Sequence, residues 1–407
     1  MSRGQVVEMM LWEILLMATI SLTVLTGAIY AGYYLYILNV IKTKRKEERK
    51  SDFRPKITVI VPTYNDAQTI KDKLLNLIEQ SYPSALMEIL MIDSASNDGT
   101  VKLAKEFFSE HSELTVKLIV EDERRGKSTA INKALSSLDA QSEIVFMTDA
   151  NAFLDKNAVQ TVVNRFSNPE VGSVVGKQVV PPTDRSGEAQ SETAYLDFYQ
   201  KMRTGESLID STPIFDGELS AYRTKFIIGK KIRENLNADD SQLAIMARRE
   251  GYKSVFEPEA LFYEPLPSSS NSLRRMKVRR GQGLARLFWY NRDIMFNRSF
   301  GKFGSTIMPA NFFMHVISPF LVVSIIVLAI GSAASYVFET GQFIVLLVLF
   351  VAALFAVFVD QALHTSAKIS NIALTFVQYQ LILLEGIVRY LTGNSLHKWQ
   401  KVQKGYS

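Results

Sequence analysis

The chain has 407 residues and a net charge of +5, a length that accommodates one large soluble domain plus membrane segments. It contains no cysteine, which excludes disulfides and thiolate metal sites, and its four histidines (His111, His315, His364, His397) are scattered, which disfavours zinc and leaves Mg2+ or Mn2+ on oxygen ligands for any metal. Basic residues cluster beside apolar segments, at 42–50 and 274–286, a placement that points to anionic lipid headgroups and not to nucleic acid.

Residues 14–40 carry no charge, and about 20 apolar residues suffice to cross a bilayer. A signal peptide would have a shorter apolar run and an Ala-x-Ala-like cleavage site, so the segment is read as an anchor. The basic residues Lys42, Lys44, Arg45, Lys46, Arg49 and Lys50 follow it, and the positive-inside rule puts that end in the cytoplasm. Segment 1–50 is thus an anchor with a basic flank.

From Lys56 strand and helix patterns alternate. Residues 57–61 form a short buried strand, stopped by Pro62. Residues 69–79 have helical spacing (Ile70, Leu74, Leu77, Ile78), and 88–92 form the next strand. Asp98-Gly99-Thr100 caps a helix through Phe108. Residues 115–120 form a third strand. Ser128 N-caps a helix to Leu138, and 144–148 form a fourth strand. Strands separated by helices of 10–15 residues imply a parallel sheet with crossover helices. Ligands of such sheets bind at the carboxyl ends of the strands, where Asp93, Arg125-Gly126-Lys127 and Asp149 fall.

Three motifs there carry chemistry. Asp149-Ala150-Asn151 places a carboxylate and an amide oxygen two residues apart, able to meet one divalent cation that would bridge a diphosphate; alone, the tripeptide also reads as a turn. Arg125-Gly126-Lys127-Ser128 precedes a helix and suits an anionic phosphate, although a solvated basic turn has the same composition. Asp239-Asp240 opens a helix that ends near Gly251. One Asp there is an ordinary cap, and a second exceeds capping needs. Like-charge proximity raises one pKa and yields a base usable near neutrality.

Residues 272–300 mix Arg274, Arg275, Lys277, Arg279, Arg280 and Arg286 with Phe288, Trp289, Tyr290, Phe296 and Phe300. That composition suits a helix on a membrane surface, with an ordinary core helix the alternative for its first half. Residues 303–338 are free of charge, with about 310–331 as the spanning part. Residues 340–359 form a second candidate, and 371–391 a third, interrupted by Gln378, Gln380, Glu385 and Arg389. One plus three crossings leave the C-terminus outside, against Lys398, Lys401 and Lys404; the last segment then lies in the interface or re-enters, or the count differs. The domain division read here is 1–50, 51–270, 271–305 and 306–407.

Taken together, residues 55–285 resemble the family 2 glycosyltransferases of the GT-A fold, an α/β Rossmann-like nucleotide-diphospho-sugar transferase domain, here with flanking transmembrane helices. Val61-Pro62-Thr63-Tyr64-Asn65 is similar to the family's first-strand motif. The stretch from Asp93 to Thr100 resembles its Asp-Asp-Gly-Ser segment, with Ser94 where the family has a second Asp. Asp149-Ala150-Asn151 takes the place of Asp-x-Asp, and Ala238-Asp239-Asp240 that of Thr-Glu-Asp. The resemblance implies nucleotide binding by Pro62, Tyr64, Asn65, Asp93, Lys127 and Asp149. It implies Mg2+ or Mn2+ on Asp149 and Asn151, and catalysis by Asp240 with Asp239. It implies acceptor contacts from Asp216, Gly217, Glu218, Arg275, Arg279 and Arg280.

Polysaccharide synthases of this family carry Gln-x-x-Arg-Trp; aligned on Arg280-Gly281, this chain has Arg274-Arg275-Met276-Lys277-Val278, without the Trp. The implied reaction is inverting transfer from a nucleotide sugar, UDP-linked, to a lipid-linked or polysaccharide acceptor at the cytoplasmic face of the membrane, by an integral membrane enzyme that contacts membrane lipids and can form a homo-oligomer. The alternatives are a processive synthase that extrudes its polymer, or a non-enzymatic transport or binding subunit using His315, Asp360, His364 and Glu385.

Overall fold

The computed structural model describes residues 9–44, 53–181, 187–265, 267, 269–345, 348 and 369–394. The apolar candidate at 340–359 lies largely outside these residues. So do Arg45, Lys46, Arg49, Lys50, Asp360, His364, His397 and the lysines at 398, 401 and 404.

Helix α1 (Leu11–Thr43) precedes a domain of β1 (Ile57–Thr63), α2 (Ile70–Ile78), β2 (Met87–Asp93), α3 (Thr100–Glu110), β3 (Thr115–Val120), α4 (Lys127–Ser136) and β4 (Ile144–Met147). The chain continues through β5 (Phe153–Leu154), α5 (Ala158–Arg165), β6 (Val171–Val179), α6 (Gly187–Ile209), β7 (Ser220–Arg223), α7 (Thr224–Ile227), α8 (Asp239–Arg249) and β8 (Lys253–Tyr263). Helix α9 (Ser270–Tyr290) leads to a long helix, Phe303–Thr340, and the last described helix is Ile369–Leu391.

The eight strands form one sheet in the order β3-β2-β1-β4-β7-β6-β8-β5. The first four are parallel, with Ile57 opposite both Met87 and Ile144. Beyond them the sheet is mixed: β7 runs antiparallel to β4 and β6, and β8 pairs with β6 in parallel. Both faces are covered, so β1 alternates inward residues on two sides. Val59 and Val61 pack with Ile70, Leu74 and Leu77, while Ile60 packs with Ile131 and Leu135. This is the near-continuous apolar pattern of a doubly covered parallel strand.

Two local expectations are corrected. Pro62 does not stop β1, which pairs with β2 as far as Thr63 opposite Asp93. Strand β4 ends opposite Ile60, so Pro62 has a strand on one side only, where a missing N–H is tolerated. Ser128 is not the N-cap of α4. Gly126 is, at φ +113°, a backbone conformation that glycine adopts without a Cβ penalty. The Ser128 hydroxyl instead donates to Asp239 Oδ1 at 3.3 Å.

Among the described residues, α1 and Phe303–Thr340 are long and apolar enough to cross a membrane. Three of the four polar groups that interrupt 371–391, Gln380, Glu385 and Arg389, are partnered. Tyr30 of α1, Ser318 and Gln380 bond mutually at 2.9 Å. Glu385 pairs with Arg389 at 2.9 Å and also with Arg274 of α9. Helix α9 packs along Ile369–Leu391, with Gln282, Leu287 and Phe288 fully buried and Trp289 half-exposed.

Candidate active site

The carboxyl ends of β1, β2 and β4 and the first turn of α4 form one rim. Asp149 follows β4, and the Lys127 ammonium at the start of α4 lies 2.6 Å from Asp149 Oδ1 and 4.0 Å from Asp239 Oδ2. Burial lowers the affinity of the Lys127 amine for its proton. The carboxylates of Asp149, Asp239 and Glu218 outweigh that and hold it above the usual lysine range. A cation is thereby fixed between the end of the parallel sheet and the start of α8.

A small pocket on this rim is lined by Pro62, Tyr64, Ser94, Arg124, Lys127 and Asp149, among others. The Arg124 guanidinium lies over the Tyr64 ring, 3.8 Å from its centroid, a cation–π arrangement. Arg124 went unnoticed in the sequence, although it directly precedes Arg125-Gly126-Lys127. Asp93 and Asn65 are not among the lining residues. Asp93 is fully buried, accepting from Thr63 Oγ1 at 2.9 Å and from the amide and hydroxyl of Ser96 at 2.8 and 2.6 Å. Asn65, at φ +54°, accepts from the Asn97 amide at 2.9 Å and donates its own amide to Ser96 Oγ at 2.8 Å. Both residues brace the loops after β1 and β2, and Ser94 is the β2-end residue facing the pocket.

The pocket shares Lys127, Asp149 and Asn151 with a cavity of about 1260 Å³. Asp149, Asp239 and Asp240 all open on that cavity. Asp240 is pushed well above the ordinary carboxylate range, first by burial and then by the neighbouring Asp239. The Ser241 amide, donating to Asp240 Oδ1 at 2.8 Å, offsets part of this. Asp216 and Glu218 add to the upward push. Tyr222 of β7 donates to the Asp240 carbonyl at 3.0 Å and fixes the helix start.

The segment 214–218 forms the next stretch of wall. It is tied to α8 by Phe215 N–H donating to Ser241 Oγ at 3.0 Å. Arg203 of α6 forks onto the Asp216 carboxylate. Glu218, pushed up to about 7 by burial and Glu264, accepts from Arg280 of α9 at 3.0 Å. Arg275 and Arg279 also line the cavity. Arg279 Nε is a buried donor without a partner among the described residues. The predicted Asp216, Gly217, Glu218, Arg275, Arg279 and Arg280 therefore sit on one cavity with the predicted base, and Arg203 joins them unforeseen.

The donor set on the rim suits a hard cation. Among the described residues no three His, Asp or Glu side chains form a metal cage. Asp149 and Asn151 supply two oxygen-bearing side chains on the shared rim, a donor chemistry that would suit Mg2+ or Mn2+.

A mixed α/β sheet whose acidic rim opens on such a cavity is the fold of the GT-A nucleotide-sugar transferases. The glycosyl transferase family 2 model matches residues 58–229. A poly-beta-1,6-N-acetyl-D-glucosamine synthase of Staphylococcus aureus is 23% identical over 260 residues, 63% of this chain and 61% of the relative. That of Staphylococcus epidermidis is 25% identical over 240 residues, 57% of this chain and 56% of the relative. The chain thus spans about three-fifths of the length of these relatives. Across 94% of this chain and 99% of the other, the structure is similar to a mannosyltransferase from Pyrobaculum calidifontis in complex with GDP-Man and Mn2+, with a TM-score of 0.75 and 29% identity. Residues 58–229 thus carry a glycosyl transferase family 2 domain, and the likeness to a synthase and a mannosyltransferase supports a glycosyltransferase over the transport-subunit alternative.

Proposed function

We propose that the chain is an inverting enzyme that transfers one or a few sugars from a nucleotide-diphosphate donor to a lipid-linked acceptor at the cytoplasmic face of a membrane. The observation that carries this reading is that Asp149 and Asp240 open on one cavity, with Lys127 fixed beside them. The nucleotide lies along Pro62, Tyr64 and Arg124, and its diphosphate reaches Lys127. Asp149 and Asn151 would hold Mg2+ or Mn2+, which when bound would neutralise charge on the leaving diphosphate. Asp240 accepts the proton of an acceptor hydroxyl. The freed oxygen pair attacks the anomeric carbon as the carbon–oxygen bond to the diphosphate breaks, and that bond's electron pair leaves with the nucleotide. For an acceptor that is already an ionised phosphate, less is asked of the base.

Arg275 and Arg279 are the cations on the acceptor side with no carboxylate partner among the described residues, and they suit an anionic headgroup. Helices α1 and Phe303–Thr340 are proposed to cross the bilayer, with the 271–305 stretch at its surface against anionic lipids. The donor nucleoside is uridine or guanosine, the second supported by the GDP-Man complex of the mannosyltransferase.

A screen of purified protein with a lipid extract, against UDP- and GDP-sugars, tests the reading. Mn2+-dependent nucleotide release with one labelled lipid product is the expected result, and no release from any donor overturns it. The polysaccharide synthases among the relatives favour a second reading, processive polymerisation. A ladder of product lengths distinguishes it. Against it, Val278 occupies the position of the synthases' Trp and is buried, leaving no ring there to stack on a polymer.

A further inference from the structure

Lys73 occupies a core position. It lies on α2 between the apolar contacts Ile70, Leu74 and Leu77, and is fully buried. Among the described residues no carboxylate forms an ion pair with it. Burial therefore dominates and lowers its ammonium to about 7, with the field of Asp149 pulling the other way. A buried amine without a counter-ion is costly, so its hydrogen bonds matter. It donates to Thr148 Oγ1 at 2.7 Å and to the Ala152 carbonyl. These acceptors bracket the turn 148–152, which carries Asp149 and Asn151. The side chain therefore reaches from behind the sheet and ties both ends of that turn together. The amine and the ammonium each have at least two protons to donate, so the tie survives in either form.

We propose that Lys73 is the positioning residue of the diphosphate site. By clamping the turn, it sets where Asp149 and Asn151 present their oxygens to a divalent cation and the donor diphosphate. This rests on the reading of Asp149 and Asn151 given above. Outer partners of metal-holding groups orient them, and their loss costs about 10- to 100-fold in metal affinity.

The test titrates GDP and UDP calorimetrically into the detergent-solubilised full chain, with Mn2+ and with EDTA. Lys73→Met should lower the Mn2+-dependent gain in nucleotide affinity by about 10- to 100-fold and leave the affinity in EDTA unchanged. Thr148→Val, which removes one acceptor at near-constant volume, should show a smaller loss in the same direction, and it decides the matter if Lys73→Met does not fold. A purely structural lysine would lower the melting temperature and leave the Mn2+-dependent gain intact; that result, or equal losses with and without Mn2+, overturns the proposal. Asp149→Asn separates the two layers. If it loses the gain while Lys73→Met keeps it, the positioning role alone is wrong. If Asp149→Asn keeps the gain, the reading of the donor site falls and the proposal with it.

Discussion

The two walls of the cavity are held by different means. The donor wall is the rim of the parallel sheet, and its loops are tied mainly by short hydrogen bonds to neighbouring strand ends, such as those from the Ser96 and Asn97 amides. The acceptor wall is assembled from α6, segment 214–218, α8 and α9. Its ties are ion pairs between separate elements: Arg203–Asp216, Lys277–Glu192 and Arg280–Glu218. Helix α6 also reaches the apolar helices, where Glu206 accepts from Tyr33 at 3.0 Å and Asn311 at 2.7 Å. The contrast assigns separate jobs. The donor wall is built on the sheet rim alone, whereas the acceptor wall is tied to this chain's own long apolar helices.

The largest expected effect isolates chemistry from both walls. Asp240→Asn keeps the size of the side chain and removes the base. Transfer should fall by about 10²- to 10⁴-fold, with nucleotide affinity by calorimetry unchanged. Undiminished turnover in this variant would remove Asp240 as the base. Next comes the acceptor wall itself. Arg203→Met leaves the largely buried Asp216 without its partner, a loss of about 3 kcal/mol for a buried pair. Thermal unfolding should register it together with a raised KM for acceptor, while the donor KM holds. A raised donor KM with an unchanged acceptor KM would show that the walls are not separable.

How much of this was legible in the sequence follows the same division. Asp149, Lys127 and Asp240 were legible because each lies at an element boundary, where a strand run or helical pattern breaks into polar residues. Strands β1, β2 and β4 were legible because short, mainly apolar runs marked them, and β3 was legible although Lys117 interrupts its run. Strand β6 was not, since Gly172 and Ser173 interrupt its apolar run; a Cβ on Gly172 would collide with Tyr252, so packing dictates that glycine. Lys73 was hidden because it reads as the polar face of α2, and only the fold shows that this position is enclosed. Arg203 was hidden because its partner, 13 residues on, lies beyond a helix end, and no periodicity links them.

Acidity gives a smaller effect with opposite signs for activity and stability. Asp240 acts as a base only when deprotonated, so kcat/KM should climb as pH rises through its raised pKa, by about one decade per unit below it. Glu218 is raised from 4.5 to about 7, and a carboxyl raised in the folded state binds its proton more tightly there. Its contribution to stability is complete below about 4.5 and is lost as pH rises through about 7. Glu206, also raised to about 7 by burial, has the same sign. Melting temperatures that increase between pH 5 and 8 would contradict this pair of assignments.

The finest probe sits where the walls meet. A methyl group on Gly217 would stand 3.5 Å from Lys127 Nζ and 3.7 Å from Asp240 Oδ2, ordinary contact distances that strain neither neighbour. Gly217→Ala should therefore fold with an unchanged melting temperature. The added carbon occupies space between the cation of the donor wall and the base of the acceptor side, where the anomeric carbon and the incoming oxygen must come within about 3–3.5 Å of each other. A severalfold loss in kcat with nucleotide affinity preserved is expected, because Gly217 does not line the pocket of Tyr64 and Arg124 that takes the nucleotide. An equal loss in nucleotide affinity would place the diphosphate against Gly217 and contradict the separation of the two walls.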